Sequence, residues 1–305
     1  MKNLTAKKYQ IVILLAFSLT QLASQDVKTD SLKKALISSN SDTAKITTLN
    51  RLSKQQLNLD NYGEALKYAN EAISMATSSA KTTANVNSNW YKKAISNSFN
   101  NIANTYQYQG DYLKAIEYNE KALKARQEIN DKEGEAYSLN SIGIIHRTQG
   151  NYQQALTFHL KALQISEQIN SKSAIAAASN EIGIVYDYLG DYAGSMKYYL
   201  IALKTYEEMG HKPGIASLQL NIGLLYKYQG NYEKALECYF KSLKIREELG
   251  LKREVAAALN NIGGLYSDIA TQTDDDAKRM NYYLKALECH FKALKIRETI
   301  GEKQG

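Results

Sequence analysis

Proline is almost missing from this chain: Pro213 is the only one in 305 residues. Long runs of Val and Thr are missing too, while Lys, Glu, Ala and Leu abound, which excludes a sheet-rich fold and points to helices. Cysteine is scarce. Cys238 and Cys289 are the only two, so there is no disulfide framework and no cysteine-based metal spacing. Histidine is nearly as rare. His146, His159, His211 and His290 fall in no HExxH and no Ser/His/Asp arrangement. The glycines recur at long intervals and never cluster into a phosphate loop, and Asp274, Asp275 and Asp276 lack the spaced ligands and glycine of a cation loop. No catalytic residue, metal or cofactor is expected, and the chain reads as a non-enzyme. A formal charge of +7 on a chain this long is a weak basic surplus, and three of those charges (Lys2, Lys7, Lys8) stand before the first apolar run. Nucleic acid is not an expected partner.

That apolar run, Ile11 to Leu19, is followed by TQLASQD. A basic start, a short apolar core and small residues near its end describe a secretory signal peptide over residues 1–24, with Gln25 as the first mature residue. The run is short of the roughly 20 apolar residues that a membrane span needs. The expected location is therefore extracytoplasmic, periplasmic or secreted; the alternative is a chain anchored by this segment.

The dominant feature is a repeat. Ile102, Ile142, Ile182, Ile222 and Ile262 recur at one constant step without slippage. Each is followed by a small residue (Ala103, Gly143, Gly183, Gly223, Gly263) and, three further on, by a ring (Tyr106, His146, Tyr186, Tyr226, Tyr266). Then come Gly110, Gly150, Gly190 and Gly230, each followed by Asp or Asn and Tyr, and later the small residues Ala115, Ala155, Ser195, Ala235 and Ala122, Ala162, Ala202, Ser242. Each unit reads as two helices. The glycine stops the first in a left-handed conformation. Asp111, Asn151, Asp191 or Asn231 caps the second, which ends near Asn130, Asn170, Gly210 or Gly250. The outer units are variants, with about ten extra residues around Ser78 to Trp90 and an 11-residue excess around Thr271 to Met280. About six helix pairs result over residues 44–301, after a lead-in over 25–43. One pair cannot bury its apolar face alone, so the pairs must stack.

The pattern of large apolar residue, small residue, aromatic and two alanines, as in Ile142, Gly143, His146, Ala155 and Ala162, resembles the tetratricopeptide repeat family. The usual unit there is about 34 residues. The 40-residue step resembles a longer variety found in scaffolds that bind extended peptides, here of bacterial extracytoplasmic type. Helical RNA-binding repeats of similar length are the rival, and the small–aromatic–Ala–Ala columns favour the first reading. The proline expected late in each unit is absent, which fits second helices extended by a turn or more. The resemblance implies an all-α, right-handed superhelical solenoid of antiparallel helix pairs, its concave face lined by first helices. Tyr112, Tyr152, Tyr192 and Tyr232 are expected to wedge between units.

In the resembling family, the columns two and one before the isoleucine face the groove. Here they hold Asn100, Asn140, Asn180 and Asn260, then Asn101, Asn221 and Asn261. A primary amide matches the N–H and C=O of an extended peptide, so these asparagines form a candidate ladder; the competing reading is that they cap or bridge neighbouring helices. Arg147, Lys227, Tyr108, Tyr188 and Tyr228 complete the candidate groove. The basic stripe on second helices (Lys121, Lys161, Lys241, Lys292) is read as a solvated outer face, paired with acids such as Glu247, Glu248 and Glu298 that follow it.

The function expected is a scaffold for protein–protein interaction that holds a peptide or partner helix in the groove. Residues 302–305 stop where another first helix would begin. A truncated tail before a capping helix or downstream domain is therefore expected. The last unit's apolar face offers self-association. The alternative function is the extracytoplasmic sensor region of a membrane-bound signalling protein.

Overall fold

The computed structural model describes residues 28–82 and 88–301. The expected signal peptide and the tail at 302–305 lie outside the described residues. The described residues form 13 helices and no strands, and they divide into two compact units, residues 28–190 and 191–301. The first unit runs α1 (28–38), α2 (Asp42–Leu57), α3 (Tyr62–Thr82), α4 (Ser88–Tyr108), α5 (Tyr112–Glu128), α6 (Lys132–Thr148), α7 (Tyr152–Gln168) and α8 (Lys172–Tyr188). The second runs α9 (Tyr192–Glu208), α10 (Lys212–Tyr228), α11 (Tyr232–Glu248), α12 (Lys252–Thr271) and α13 (Asp276–Thr299). Within each unit, successive helices fold back on one another. The expected all-α array of antiparallel helix pairs is what the structure shows.

The turns follow from the punctuation. Gly110, Gly150, Gly190 and Gly230 have φ of 72° to 78°, and Asn130 and Asn170 take φ of 56° and 52° where later repeats use Gly210 and Gly250. The side chains of Asp111, Asp191 and Asn231 accept from the backbone N–H three residues on, whereas Asn151 holds the N-cap position without a side-chain bond. Helices α5 to α11 are each 17 residues long, so the second helix of a repeat is no longer than the first. Among the described residues the insertions lengthen helices: α3 and α4 reach 21 residues each, and α12 and α13 reach 20 and 24. Helix α1, in the expected lead-in, lays Leu32 and Leu36 on a core of Ile46, Leu49, Leu52, Ala72 and Ala76.

The small column beside the isoleucine has a specific cause. At one register of the second helices stand Asn119, His159, Tyr199 and Tyr239; in the last pair the insertion moves this residue to His290. A Cβ on Gly143 would sit 2.6 Å from Cε1 of His159, one on Gly223 2.6 Å from Cδ1 of Tyr239, and one on Gly263 2.9 Å from Cε1 of His290. The ring lies against bare backbone, and glycine is what makes room. Where the partner is the smaller Asn119, the column carries Ala103. Glycine's helix cost of about 1 kcal/mol is offset by packing of the ring.

A second column locks three of the pairs to the next. Arg126 near the end of α5 donates from Nη1 to Gly134 O (2.9 Å) and Ser138 Oγ (2.6 Å) on α6, and from Nη2 to Asn97 Oδ1 (3.1 Å) on α4. Arg246 near the end of α11 repeats the first of these, to Glu254 O at 3.1 Å. Tyr206 fills the same place on α9 and presses on Gly214. On the outer faces, Lys121, Lys241 and Lys292 pair with Glu117, Glu237 and Glu288 one helical turn before them. The acids after the stripe act otherwise: Glu248 reaches across to Lys212 on α10 at 2.8 Å. Cys238 and Cys289 are both free thiols.

Gly264 is the exception in its column, and a Cβ there meets nothing within 4 Å. Gly264→Ala is expected to raise the urea-unfolding free energy by about 0.5–1 kcal/mol, whereas Gly150→Ala, at φ 78°, is expected to lower it by about 1–2 kcal/mol; equal effects would refute the distinction. Burial, aided by nearby Arg147, holds the fully enclosed His159 down to about 3 from its ordinary 6.5. The unfolded chain therefore takes up a proton below about pH 6 that the folded chain refuses, and stability falls as pH drops through that window. Wild type should lose about 1.4 kcal/mol per pH unit more than His159→Asn between about pH 6 and 4; parallel pH profiles would contradict it.

Candidate functional site

The candidate groove residues sit on the first helices, which the sequence resemblance places along the groove. Their column two before the isoleucine is tied inward. Asn100 is buried, and its Nδ2 donates to Asn119 Oδ1 at 2.6 Å. Asn140 Oδ1 accepts from His159 Nδ1 at 2.6 Å, and Asn260 Oδ1 stands 3.1 Å from His290 Nδ1. A carbonyl oxygen can only accept, so Nδ1 of neutral His159 carries the proton; its Nε2 is buried and unbonded. Asn180 differs: its Oδ1 is buried without a hydrogen-bond partner.

The column one before the isoleucine divides. Asn101 donates to the backbone and side-chain oxygens of Asn50 at 3.0 and 3.3 Å, bridging α4 to α2. Asn221 is half-buried and Asn261 is exposed at the surface of its helix. The two candidate cations are neutralised across neighbouring first helices. Arg147 Nε lies 3.2 Å from Glu181 Oε2, joining α6 to α8, and Lys227 Nζ lies 2.7 Å from Asp268 Oδ2, joining α10 to α12. Burial pushes the Glu181 carboxyl up, against the opposing pull of Arg147. Burial likewise raises Asp187.

The tyrosines stand apart. Tyr188 stacks on Tyr152 of the preceding repeat at 5.2 Å and 10° between planes, and Tyr228 packs against Tyr192 at 5.6 Å. Tyr232 OH accepts from Gln272 at 2.6 Å. These contacts are the wedges between repeats. Yet Tyr108, Tyr188 and Tyr228 keep 69%, 59% and 53% of their surface open to solvent, and each closes the same turn of its first helix. They form the most exposed part of the candidate set.

Sequence reasoning passed over three features. The ring column was hidden because its chemistry changes from amide to imidazole to phenol. The plug column of Arg126, Ser166, Tyr206 and Arg246 was hidden for the same reason. The third is the cavity of about 290 Å³ on α13, lined by Asn260, His290, Leu294 and Arg297; the exposed stripe of Leu284, Leu287 and Phe291 beside it lies on the last unit, whose bare apolar face was expected. Among the described residues, no group of His, Cys, Asp and Glu could hold a metal ion, and no helix is long and apolar enough to cross a membrane.

Comparison with known proteins agrees with this geometry. The profile of the tetratricopeptide repeat matches at residues 94–168, 145–208, 173–248 and 214–271. No curated protein sequence matches the chain. Among solved structures, BtubC from P. vanneervenii is similar at a TM-score of 0.66 and 20% identity, over 80% of this chain and 94% of that one. Aspartyl phosphate phosphatase F from Bacillus subtilis is similar at 0.65 and 15%, over 99% and 76%. The Rap conjugation gene regulator of plasmid pLS20, solved in complex with the Phr* peptide, is similar at 0.57 and 12%, over 86% and 78%. At such identities these likenesses speak to the fold alone. With the profile spanning more than half of the sequence in overlapping register, this chain belongs to the tetratricopeptide repeat family.

Proposed function

We propose that this protein is a scaffold for protein–protein interaction that holds an extended peptide or a partner helix against the first-helix face of its repeats. One observation carries the reading: Tyr108, Tyr188 and Tyr228 recur at one register, and each exposes over half its surface, with Tyr188 and Tyr228 anchored on the ring of a neighbouring helix. A rigid, part-exposed tyrosine offers contact area at little entropic cost, which is why tyrosine is enriched where binding energy concentrates. The exposed amide of Asn261 adds a group for backbone recognition. Arg147 and Lys227 enter as members of ion pairs, so the face is built to take a ligand without a strong charge of either sign. That one protein of similar fold was solved with a peptide is consistent with this reading.

The proposal extends to an extracytoplasmic location, on the strength of the sequence of residues 1–24, and to membership of a 40-residue variety of the repeat. It extends also to self-association through α13. The stripe from Met280 to Leu294 is centred on Leu287, with Asp275 and Asp276 at one end and Lys295 and Arg297 at the other. Two copies crossing antiparallel would match apolar to apolar and acid to base. The sedimentation mass of the full chain decides this point: twice the chain mass is expected, and a single chain mass would refute it.

The groove is tested by selecting a random displayed peptide library on the full chain and measuring the winners against Tyr108→Ala, Tyr188→Ala and Tyr228→Ala. Selected peptides are expected to lose about tenfold or more in affinity for at least one of the three, with helicity unchanged. An empty selection, or affinities indifferent to all three substitutions, would overturn the reading.

A further inference from the structure

Across α5, α7, α9 and α11 the plug column has one gap. Where Arg126, Tyr206 and Arg246 put a large side chain against the following first helix, α7 has Ser166, which is buried and turns its hydroxyl back to Ala162 O at 2.7 Å. The space is left open as a cavity of about 230 Å³ between α6, α7 and α8. Its floor is Ala162 and Ser166 of α7, both buried, and its walls include Ala174 and Ala178 of α8. Tyr137 of α6, half exposed, stands at the rim with Asn140. A cavity with its floor on the second helix and its exposed rim on the first helices opens onto the first-helix face.

The lining also says what fits. Arg126 finds its acceptors in Asn97 and Ser138; one repeat further on, those positions are Tyr137 and Ala178. A guanidinium entering here would find neither of those acceptors, and the one carboxylate of the lining, Glu133, is exposed and already accepts from Ser171 Oγ at 3.2 Å, so the buried part of the cavity offers a charge no partner. An apolar group loses nothing. The same space beside α9 takes the ring of Tyr206, so an aromatic side chain is the right size, and the Tyr137 ring at the rim offers it a stacking partner. Asn140, whose Oδ1 is held by His159, is left with its Nδ2 to donate to a carbonyl of the ligand backbone.

We propose that this cavity is a specificity pocket that accepts one aromatic side chain of a peptide lying on the first-helix face of residues 28–190. The inference deepens the groove reading above and rests on it for the source of the side chain. It assigns the pocket to the α6–α8 junction, because that is the junction whose plug is a serine.

The test is a titration of the ¹⁵N-labelled full chain with N-acetyl-phenylalaninamide, with N-acetyl-lysinamide as the contrast. Saturable shifts of the amides of Ala174, Ala177 and Ala178 are expected with the first probe and at least tenfold weaker binding with the second. Closing the pocket with Ser166→Tyr and Ala174→Gly together copies the Tyr206–Gly214 pair and is expected to abolish the shifts. Ala177→Leu closes it from the wall, so that the result does not hang on one variant's folding. No saturable shift, equal binding of both probes, or binding that survives both closures would overturn the proposal. The probe is too short to span several repeats. Absent shifts alongside successful peptide selection would sink the pocket and spare the groove, and clear shifts alongside an empty selection would do the reverse.

Discussion

A ring pressed against a glycine holds three of the repeats together. A Cβ added at Gly143 or Gly223 would sit 2.6 Å from the buried ring of His159 or Tyr239, and one at Gly263 would sit 2.9 Å from the more exposed ring of His290. The contact sets how closely first and second helices approach. Because a buried imidazole must have its N–H satisfied, it also dictates the residue three before the glycine. That residue is Asn140 for His159, and Asn260 holds the same place beside the more exposed His290. Where the second helix offers Asn119 instead, the same logic gives Asn100 and Ala103. Two columns of the first helix are thus consumed by its own partner helix.

What remains for a ligand is then defined by subtraction. The inward amides, the Arg147–Glu181 and Lys227–Asp268 pairs and the Asn101 bridge stiffen the first-helix layer. The exposed residues left over are aromatic and amide in character. Bridges between consecutive first helices order the surface before any ligand arrives, and a face ordered in advance binds at a smaller entropic cost. The proposed pocket has the same origin, since a missing plug in a close-packed stack leaves a hole that the stack itself cannot fill.

Much of this was legible in the sequence. The 40-residue step, the left-handed glycine stops and the Asp/Asn caps follow from local backbone preferences, and local preferences are what a single sequence displays. The asparagines were only half legible. Their periodicity was plain, but whether they faced a ligand or a neighbour depended on partners across the helix pair whose chemistry varies from Asn119 to His159 to Tyr239. The ion pairs were invisible for a related reason: Arg147 meets Glu181 and Lys227 meets Asp268 at unequal separations, so no fixed spacing announces them. The insertions at Ser78–Trp90 and Thr271–Met280 break the repeat and announce no element of their own, yet most of their described residues continue helices α3, α4, α12 and α13.

The ring–glycine contact is tested most directly by a double-mutant cycle in urea on Gly143→Ala, His159→Asn and the pair. Gly143→Ala alone should destabilise by about 1–3 kcal/mol, because the ring cannot yield. The double variant recreates the Ala103–Asn119 arrangement and should recover most of that loss, giving a coupling of about 1 kcal/mol or more. Additive losses, or a Gly143→Ala variant as stable as wild type, would contradict the account.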